Sequence, residues 1–174
     1  MNKVLLVDKN NNSLGKADKL FAHQKGLLHR AFSVFIFNHK GEMLLQKRAQ
    51  NKYHSAGLWS NACCSHPLSD NVLLEAQKRL SEEMGIKCPL KEIFRFTYKA
   101  RVGDLTENEF DYVLVGVFNG KVSPNKNEVQ EYKWISFPDL KKDITQNPQN
   151  YTQWFKLIYE KVFNAVFSPQ AKTL

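Results

Sequence analysis

The sequence predicts an α/β (α+β) domain in which a mixed β-sheet is flanked by helices. Three observations predict this class. Short apolar segments of strand length recur along the chain, an amphipathic segment with helical spacing lies near the middle, and a longer amphipathic segment lies near the end. The length of 174 residues favours a single domain over residues 1–174, with a core at about 30–140 and a C-terminal helix at about 151–167.

The predicted strands are apolar runs bounded by turn residues. The first covers residues 4–7, and a hairpin follows in which strands at 32–37 and 42–47 are joined by Asn-His-Lys-Gly at 38–41. Further strands are predicted at 58–63, 93–98, 109–118 and 132–135. Strands therefore make up most of the predicted domain.

The clearest predicted helix covers residues 71–84. Its apolar side chains recur at helical spacing, Asp70 is a suitable N-cap, and Gly85 stands where the residue after a helix is often glycine. Pro138 is expected to open a short helix, and the last amphipathic helix is expected at 151–167. The sheet is thus predicted to carry one central helix and two C-terminal helices.

Composition excludes several classes of protein. The hydrophobic fraction is 43% and the charged fraction 24%, as in ordinary globular proteins. No run of about 18 apolar residues is present, which excludes a membrane-spanning helix, and the N-terminus is too weakly apolar for a signal peptide. Cys63 and Cys64 are adjacent and Cys88 is alone, so a disulfide framework is not expected. We therefore expect a cytoplasmic protein.

The charge balance indicates an anionic partner. Lys and Arg number 25 against 17 Asp and Glu, which gives a net charge of +8. A nucleic-acid surface and attraction for a small anionic substrate both account for this charge. The basic residues are scattered and occur at most in pairs, so charge alone leaves both interpretations open.

Five residues have side chains that bind divalent metals: His23, His29, His66, Glu107 and Glu109. The two glutamates are two residues apart at the head of a predicted strand, so their side chains share a face, where like charges need a cation or a shared proton. Mixed imidazole and carboxylate ligands suit Zn²⁺ or Mn²⁺, and higher coordination favours Mn²⁺ or Mg²⁺. The alternative is a solvated glutamate pair with surface histidines, because no compact motif such as His-Glu-x-x-His is present.

The end of the predicted central helix offers a second acidic site. Glu82 and Glu83 lie within a turn of basic residues, and a solvated helix face is the usual interpretation of such charges. Alternatively, a carboxylate at this helix end holds Mg²⁺ against a diphosphate. The cations that would complete a diphosphate site are Lys19, Arg48, Lys52 and Arg79.

Two further side chains have both a structural and a functional interpretation. Cys64 stands near the end of a predicted strand, where cysteine is usually a small buried apolar residue, although His66 follows closely. Trp154 is an aromatic residue on the inner face of the last predicted helix. By themselves these residues do not define a reaction.

Taken together, these residues resemble the type 1 isopentenyl-diphosphate isomerases of the Nudix superfamily, from residue 19 to about residue 163. The segment 59–68, Trp-Ser-Asn-Ala-Cys-Cys-Ser-His-Pro-Leu, resembles the family's cysteine motif. The Glu-Asn-Glu triplet at 107–109, the Tyr-Lys-Ala run at 98–100 and the Trp-Phe-Lys-Leu-Ile run at 154–158 also match. Each match is weak alone, and their order and spacing together are specific.

The superfamily's hydrolase motif is present in altered form. That motif reads Gly, five residues, Glu, seven residues, then Arg-Glu-U-x-Glu-Glu-x-Gly-U, where U is aliphatic. Cys64 takes the place of the first glycine, Asp70 that of the next glutamate, and residues 78–86 align with the rest. Arg79 replaces the glutamate of the Arg-Glu pair, which would impair hydrolysis and adds a cation for binding a diphosphate.

The resemblance implies a Nudix-like fold and an isomerase of isoprenoid precursor biosynthesis. Such an enzyme interconverts isopentenyl diphosphate and dimethylallyl diphosphate by protonation and deprotonation through a tertiary carbocation. The implied catalytic pair is Cys64 and Glu109, with Tyr98 as a supporting hydroxyl and Trp154 beside the reacting carbons. Ala56 and Ser60 depart from the family's usual Pro and Thr, which affects loop geometry rather than a proposed ligand.

The resemblance also implies two cation sites and a substrate site. One divalent metal (Mn²⁺, Zn²⁺ or Mg²⁺) is expected at His23, His29, His66, Glu107 and Glu109. A Mg²⁺ bound with the substrate diphosphate is expected at Glu83. Substrate contacts are expected from Lys19, Arg48, Lys52 and Arg79.

Three rival functions remain. A Nudix hydrolase of nucleoside diphosphate derivatives is disfavoured by Arg79. A basic nucleic-acid-binding module would explain the charge but not the His/Glu set, and an inactive relative would not need every ligand position filled. We therefore expect a small-molecule diphosphate as the partner, without nucleic acid or membrane, and a monomer or homodimer.

Overall fold

The computed structural model describes residues 3–52 and 54–168, so the outer limits of the predicted 1–174 domain lie outside the described residues. The strands are β1 Lys3–Val7, β2 Ser13–Asp18, β3 His29–Phe37, β4 Met43–Arg48, β5 Trp59–Asn61, β6 Cys63–Ser65, β7 Lys91–Val102, β8 Leu105–Val117 and β9 Val129–Ile135. The helices are α1 Lys19–Lys25, α2 Val72–Met84, α3 Phe137–Gln146 and α4 Gln153–Phe167, with a 3₁₀ turn at Pro148–Asn150.

The sheet is mixed, which confirms the predicted fold class. β3 is central: it pairs in parallel with β8 and antiparallel with β6, and β8 pairs antiparallel with β7. The predicted hairpin of β3 and β4 is present, but its strands pair only at Phe37 and Met43 and then diverge. β4 instead pairs with β5 and β9. Past the point of divergence, β6 pairs with β3 at residues 32–34, whereas β8 pairs along the whole of β3.

Helices cover both faces of the sheet, and strand alternation sends side chains to each. Phe32, Val34 and Ile36 of β3 pack in one core with α2, whereas Phe35 and Phe37 pack in a second core with α3 and α4. All nine residues of β3 are buried as a result. A nearly continuous apolar strand is what a position between two helical layers requires.

The start of α2 differs from the prediction. The N-cap is Asn71, whose Oδ1 accepts from Leu74 N at 3.1 Å, and not Asp70. Asp70 instead accepts from Arg30 Nη1 at 2.7 Å, because the aspartate lies one residue too early to reach the first turn. Gly85 ends the helix with φ +67°, as predicted from its position.

The predicted strand at 58–63 was wrong as a single strand. The chain pairs with β4 up to Asn61 and with β3 from Cys63 onward. Asn61 stabilises this change of partner, because its Nδ2 donates to Val34 O at 3.1 Å and to Cys63 O at 2.9 Å. The side-chain amide of Asn61 thus supplies hydrogen bonds at the point where the chain changes its partner from β4 to β3.

Two elements were not predicted. β2 is almost wholly exposed and lacks apolar alternation, and α1 has only seven residues, too few for a helical period to be visible. α1 is nevertheless capped at both ends, by Asp18 Oδ1 on Phe21 N at 3.0 Å and by Gly26 with φ +60°. Among the described helices, none has the length and apolar character needed to cross a membrane.

Candidate active site

Three adjacent strands place candidate residues in one row across the sheet. Tyr98 of β7 lies opposite Glu109 of β8, and Glu109 lies beside His29 of β3 in the parallel pair. Glu107 precedes Glu109 by two residues and therefore points to the same face. Strand register thus brings together residues that are up to 80 positions apart in the chain.

Five ligand-type side chains converge at this row. His66 Nε2 lies 2.9 Å from Glu109 Oε1, and His29 Nε2 lies 3.6 Å from the same oxygen. His23, which α1 carries, places Nε2 at 3.1 Å from Glu107 Oε2. One ligand atom from each side chain lies within 4.8 Å of those of all the others: His23, His29, His66, Glu107 and Glu109. The five residues predicted to bind one metal therefore do form a group.

Backbone carbonyls orient two of these imidazoles. His23 Nδ1 lies 2.6 Å from Lys19 O, and His29 Nδ1 lies 2.8 Å from Leu27 O. A ring that donates Nδ1–H to a carbonyl keeps a lone pair on Nε2, which is the form that ligates a metal. His29 Nε2 is buried and makes no hydrogen bond to any residue in the described ranges. This orphaned nitrogen among carboxylate and imidazole atoms fits a divalent cation.

The environment sets the two glutamates apart. Burial raises the pKa of Glu107, and the charge of Glu109 raises it further. Burial also acts against the ionised form of Glu109, but the imidazoles of His29 and His66 beside its carboxylate outweigh burial and hold the pKa of Glu109 well below its usual range. Burial lowers the pKa of His66 to about 3, so this ring is neutral at physiological pH. A neutral imidazole beside an ionised carboxylate is a suitable ligand pair.

A small cavity of about 40 Å³ has Cys64 and Glu109 in its wall, together with Tyr98 and Trp154. Tyr98 donates its hydroxyl hydrogen to Glu109 Oε2 at 2.7 Å, and burial raises the pKa of this phenol well above its usual value. Tyr98 therefore remains a hydrogen-bond donor to the carboxylate. The cavity wall thus combines a thiol and a hydrogen-bonded carboxylate.

Cys64 is held on β6 beside β3. Its Sγ donates to Asn61 Oδ1 at 3.1 Å and lies 3.7 Å from Ser33 Oγ. Burial raises the pKa of the Cys64 thiol to about 12, and the carboxylate of Asp111 adds to the effect. The thiol therefore keeps its proton at neutral pH.

Trp154, at the start of α4, is held by a hydroxyl. Its Nε1 donates to Ser60 Oγ at 3.0 Å, and Ser60 Oγ also lies 3.0 Å from Thr152 Oγ1. Ser60, which stands where the resembling family often has Thr, thus keeps the hydroxyl that the indole uses. The Arg48 guanidinium lies 5.3 Å from the centre of the Trp154 ring, so a cation already faces this aromatic surface.

A larger cavity of about 710 Å³, called the groove below, adjoins the small cavity and shares Lys19 and His66 with it. Lys52 and Arg79 also lie in its wall. Three of the four cations predicted to contact a diphosphate therefore line one groove, while Arg48 lines the small cavity. The groove and the small cavity meet at Lys19 and His66, so one elongated molecule can span both.

Glu83 lies beside the groove and not in the five-residue group. It is only 4% exposed, its Oε1 lies 2.8 Å from Arg79 Nε, and its Oε2 accepts from Gln46 Nε2 at 3.0 Å. Arg79 Nη2 also lies 2.9 Å from Glu128 Oε1, and Lys52 pairs with the same glutamate. Burial raises the pKa of Glu83. Acidic and basic side chains thus alternate along this wall.

Several site residues were missed in the sequence. Ser33 donates to Asp111 Oδ2 at 2.7 Å beneath Cys64, His54 lines the small cavity, and Glu128 bridges the groove cations. A signal existed for Ser33 and Asp111, which are polar residues at inward positions of two apolar strands. Nothing in the local sequence distinguishes Glu128 from an ordinary surface glutamate.

Comparison with known proteins identifies the family. The model of the NUDIX domain matches residues 27–155. A protein of Serratia proteamaculans named isopentenyl-diphosphate Delta-isomerase is 48% identical, over 89% of this chain and 88% of its own length. A protein of Photorhabdus laumondii named isopentenyl-diphosphate Delta-isomerase 2 is 50% identical, over 89% of each chain.

Solved structures support the fold. A Deinococcus radiodurans protein has a TM-score of 0.73 at 15% identity and covers 91% of this chain and 98% of its own. A MutT protein of Methanosarcina mazei has a TM-score of 0.65 at 20% identity and covers 81% of this chain and 96% of its own. At such identities the likeness concerns the fold alone. The fold, the converging His/Glu group and the curated relatives agree, and the chain belongs to the NUDIX-domain family and, within it, to the isopentenyl-diphosphate Delta-isomerases.

Proposed function

We propose that the chain interconverts isopentenyl diphosphate and dimethylallyl diphosphate by adding a proton to one carbon and removing a proton from another. The observation that carries this proposal is the small cavity in which Cys64 and the Tyr98–Glu109 pair lie together with Trp154. The names of the relatives supply the substrate.

Moving the double bond needs an acid and a base, because an alkene carbon must gain a proton and its neighbour must lose one. At neutral pH the Cys64 thiol holds a proton, since its pKa is about 12, whereas hydrogen bonds keep Glu109 ionised. The reaction requires one protonated group as the acid and one unprotonated group as the base, and Cys64 and Glu109 supply them. Isomerisation runs in both directions, so Cys64 and Glu109 exchange the acid and base roles with direction.

The intermediate, a tertiary carbocation, must be stabilised and kept from water. Trp154 lines the cavity, and the face of an indole attracts a cation by about 2 kcal/mol or more when water is excluded. That energy corresponds to roughly a 30-fold rate effect if it acts only on the transition state. A substrate that fills the cavity of about 40 Å³ would leave little room for water that would trap the cation as an alcohol.

We further propose that one divalent metal binds at His23, His29, His66, Glu107 and Glu109, with Mn²⁺, Zn²⁺ and Mg²⁺ as the candidates. A bound cation would compensate the two carboxylates and alter the proton affinity of Glu109. The orphaned Nε2 of His29 and the carbonyl-bonded Nδ1 atoms support this assignment. Through such a cation, the other four side chains would hold Glu109 in a defined orientation at the cavity.

The diphosphate end of the substrate is proposed to occupy the larger groove. Lys19, Lys52 and Arg79 line it, and arginine suits bidentate contacts to phosphate oxygens. Glu83, buried beside Arg79, is proposed to hold a Mg²⁺ together with the diphosphate, since Mg²⁺ commonly binds one or two carboxylates plus substrate phosphates. Arg48 would contact the substrate where the groove meets the small cavity.

Arg79 supports isomerisation over hydrolysis. It pairs with Glu83 at 2.8 Å, Glu82 at 3.3 Å and Glu128 at 2.9 Å. A hydrolase would need free carboxylates here to arrange metals and an attacking water. With the arginine in that position the acidic wall is neutralised, which favours keeping the diphosphate intact.

We expect this enzyme to work in the cytoplasm as a monomer or homodimer. The three cysteines are free thiols, which agrees with a reducing compartment. A chain that acts on a small diphosphate also needs no nucleic acid or membrane partner.

The test is to incubate purified protein with isopentenyl diphosphate and Mg²⁺ in deuterated water and to follow the carbon skeleton by NMR. We expect dimethylallyl diphosphate that carries deuterium. Cys64→Ala and Glu109→Gln should each reduce turnover by at least roughly a hundredfold, because each removes an acid or base. Cys88→Ala, at a half-buried thiol outside the site, is the matched control and should stay near full activity.

The main rival is tested in the same preparation. Intact substrate without deuterium uptake, after Mg²⁺, Mn²⁺ and Zn²⁺ have each been supplied, would contradict the isomerase. Release of phosphate from nucleoside diphosphate derivatives would then support a hydrolase.

A further inference from the structure

His54 lines the small cavity together with His66, and it lies outside the five-residue metal group. It lies in the loop between β4 and β5, and its side chain is only 8% exposed. Its Nε2 lies 3.2 Å from Glu107 Oε1. This buried imidazole contacts a carboxylate of the metal group, and the proposed function assigns no role to it.

The two oxygens of Glu107 face different histidines. Oε2 lies 3.1 Å from His23 Nε2, inside the metal group, and Oε1 lies 3.2 Å from His54 Nε2. A carboxylate with one oxygen hydrogen-bonded from outside has a fixed rotamer and presents its other oxygen to the metal. His54 is therefore placed to orient Glu107 as a metal ligand, and not to bind the metal in its place.

The loop holds the His54 ring in a defined orientation. His54 Nδ1 lies 3.3 Å from Ser55 Oγ, so a Ser55 hydroxyl that donates there leaves the ring hydrogen on Nε2, facing Glu107. The carbonyl of His54 accepts from Arg48 Nη2 at 3.3 Å. The contact at Nδ1 thus opposes rotation of the imidazole away from the carboxylate, and the Arg48 contact holds the backbone of the loop.

The same ring also packs against the aromatic residue of the cavity. The His54 and Trp154 rings are nearly perpendicular, at 83°, with centroids 5.9 Å apart. His54 consequently lies between Glu107 and Trp154. A single side chain contacts both the metal group and the surface proposed to face the carbocation.

We propose that His54 is a positioning residue that donates Nε2–H to Glu107 and so pre-organises the metal group. The proposal rests on the proposed function only in needing a metal at the five-residue group. Loss of an outer hydrogen bond to a ligand typically weakens metal affinity about 10- to 100-fold.

Two substitutions separate the hydrogen bond from the ring. His54→Gln keeps an N–H donor near the position of Nε2, whereas His54→Phe keeps a ring against Trp154 and loses the donor. His39→Phe, at an exposed histidine in the β3–β4 turn, is the matched control. Mn²⁺ alone is titrated into metal-free protein, and free Mn²⁺ is measured by electron paramagnetic resonance. Urea unfolding of each variant identifies any change that comes from loss of folding.

We expect His54→Phe to bind Mn²⁺ at least roughly tenfold more weakly than the unaltered chain. His54→Gln should recover most of the affinity, and His39→Phe should equal the unaltered chain. Equal affinity of His54→Phe and the unaltered chain would overturn the proposal while leaving the metal site intact. Equal losses in a folded His54→Gln and a folded His54→Phe would overturn it too. Failure of the unaltered chain to bind Mn²⁺, Zn²⁺ or Mg²⁺ would overturn the metal site and this proposal with it.

Discussion

Cys64 and Glu109 lie in one cavity wall, yet their surroundings act in opposite directions on their protons. Burial raises the pKa of the Cys64 thiol to about 12, and the nearby Asp111 adds to the rise. Glu109 makes hydrogen bonds with Tyr98 and His66, and its ionised form is stabilised. The acid and base character of each group is thus set by its neighbours rather than by its residue type.

Tyr98→Phe tests the contribution of one donor to Glu109. The change removes the hydroxyl that donates to Oε2 at 2.7 Å and keeps the ring. A hydrogen bond to a charged group contributes about 1.5–3 kcal/mol, so we expect kcat to fall by roughly 10- to 150-fold. Steady-state turnover of isopentenyl diphosphate measures the effect. Tyr132→Phe, at an exposed tyrosine of β9, is the control, and equal rates for the two variants would contradict the role of Tyr98.

His66→Gln tests the pH dependence of stability. Burial lowers the pKa of His66 from 6.5 to about 3, so below pH 6.5 the unfolded chain binds a proton that the folded chain does not. Stability from the neutral ring is therefore present above pH 6.5 and is lost as the pH falls. Between pH 7 and pH 5 the metal-free protein should lose about 2 kcal/mol more unfolding free energy than His66→Gln. Urea unfolding at both pH values measures it, and parallel losses would refute the shift.

At the scale of elements, the ends of α2 place the groove residues. Asn71 caps the start, and Gly85 closes the end with a left-handed backbone. The next strand pair then returns the chain to α2, where Asn125 N donates to Glu83 O at 2.8 Å and Ser123 N to Met84 O at 3.0 Å. The position of Glu83 and Arg79 therefore depends on a close approach of this loop to the helix end.

Gly85→Ala tests that close approach. A Cβ at Gly85 would lie 2.6 Å from Ser123 O, and φ is +67°. Gly103, with φ +61° and open space around a Cβ, is the matched control. We expect Gly103→Ala to cost about 1 kcal/mol of unfolding free energy from the backbone alone, and Gly85→Ala about 2 kcal/mol or more, since it adds a clash. Similar losses in urea unfolding would show that the loop is free to move away.

At the scale of the whole molecule, the sheet separates two cores and carries the His/Glu group at its row of polar side chains. α2 covers one core, and α3 with α4 covers the other. The metal-type residues come from α1, β3, the residue after β6, and β8. A cation bound by four separate segments would join them and stabilise the folded state.

Metal addition to metal-free protein tests this linkage. At a free concentration about 100 times Kd, a ligand of the folded state adds about 2.7 kcal/mol. For a chain of this size that corresponds to a rise in Tm of about 5–10 °C. His29→Ala, which removes the orphaned Nε2, should lose most of this rise, whereas His39→Ala should keep it. Calorimetric scans with and without Mn²⁺ measure it, and an undiminished rise in His29→Ala would exclude His29 as a ligand.

Much of the fold was predictable, and so was the grouping of the five His and Glu side chains. Strong apolar periodicity identified β3, β8 and α2, and the spacing of the His, Glu and Cys residues resembled one enzyme family. The weakly patterned β2, the short α1 and the change of partner at Asn61 were not predictable, because they depend on caps and side-chain hydrogen bonds. His54 escaped prediction because its partner, Glu107, is 53 residues away in the chain.

The sequence by itself determined the residue types of the His/Glu group, the alternation that sends each strand's side chains to two faces, and the arginine in the altered hydrolase motif. Only the tertiary structure decided which of these residues meet. Parallel pairing of β3 with β8 places His29 beside Glu109, and pairing of β6 with β3 places Cys64 beside Ser33. Local patterning reports the face of a residue, whereas contact between distant segments depends on strand register, which the whole core stabilises.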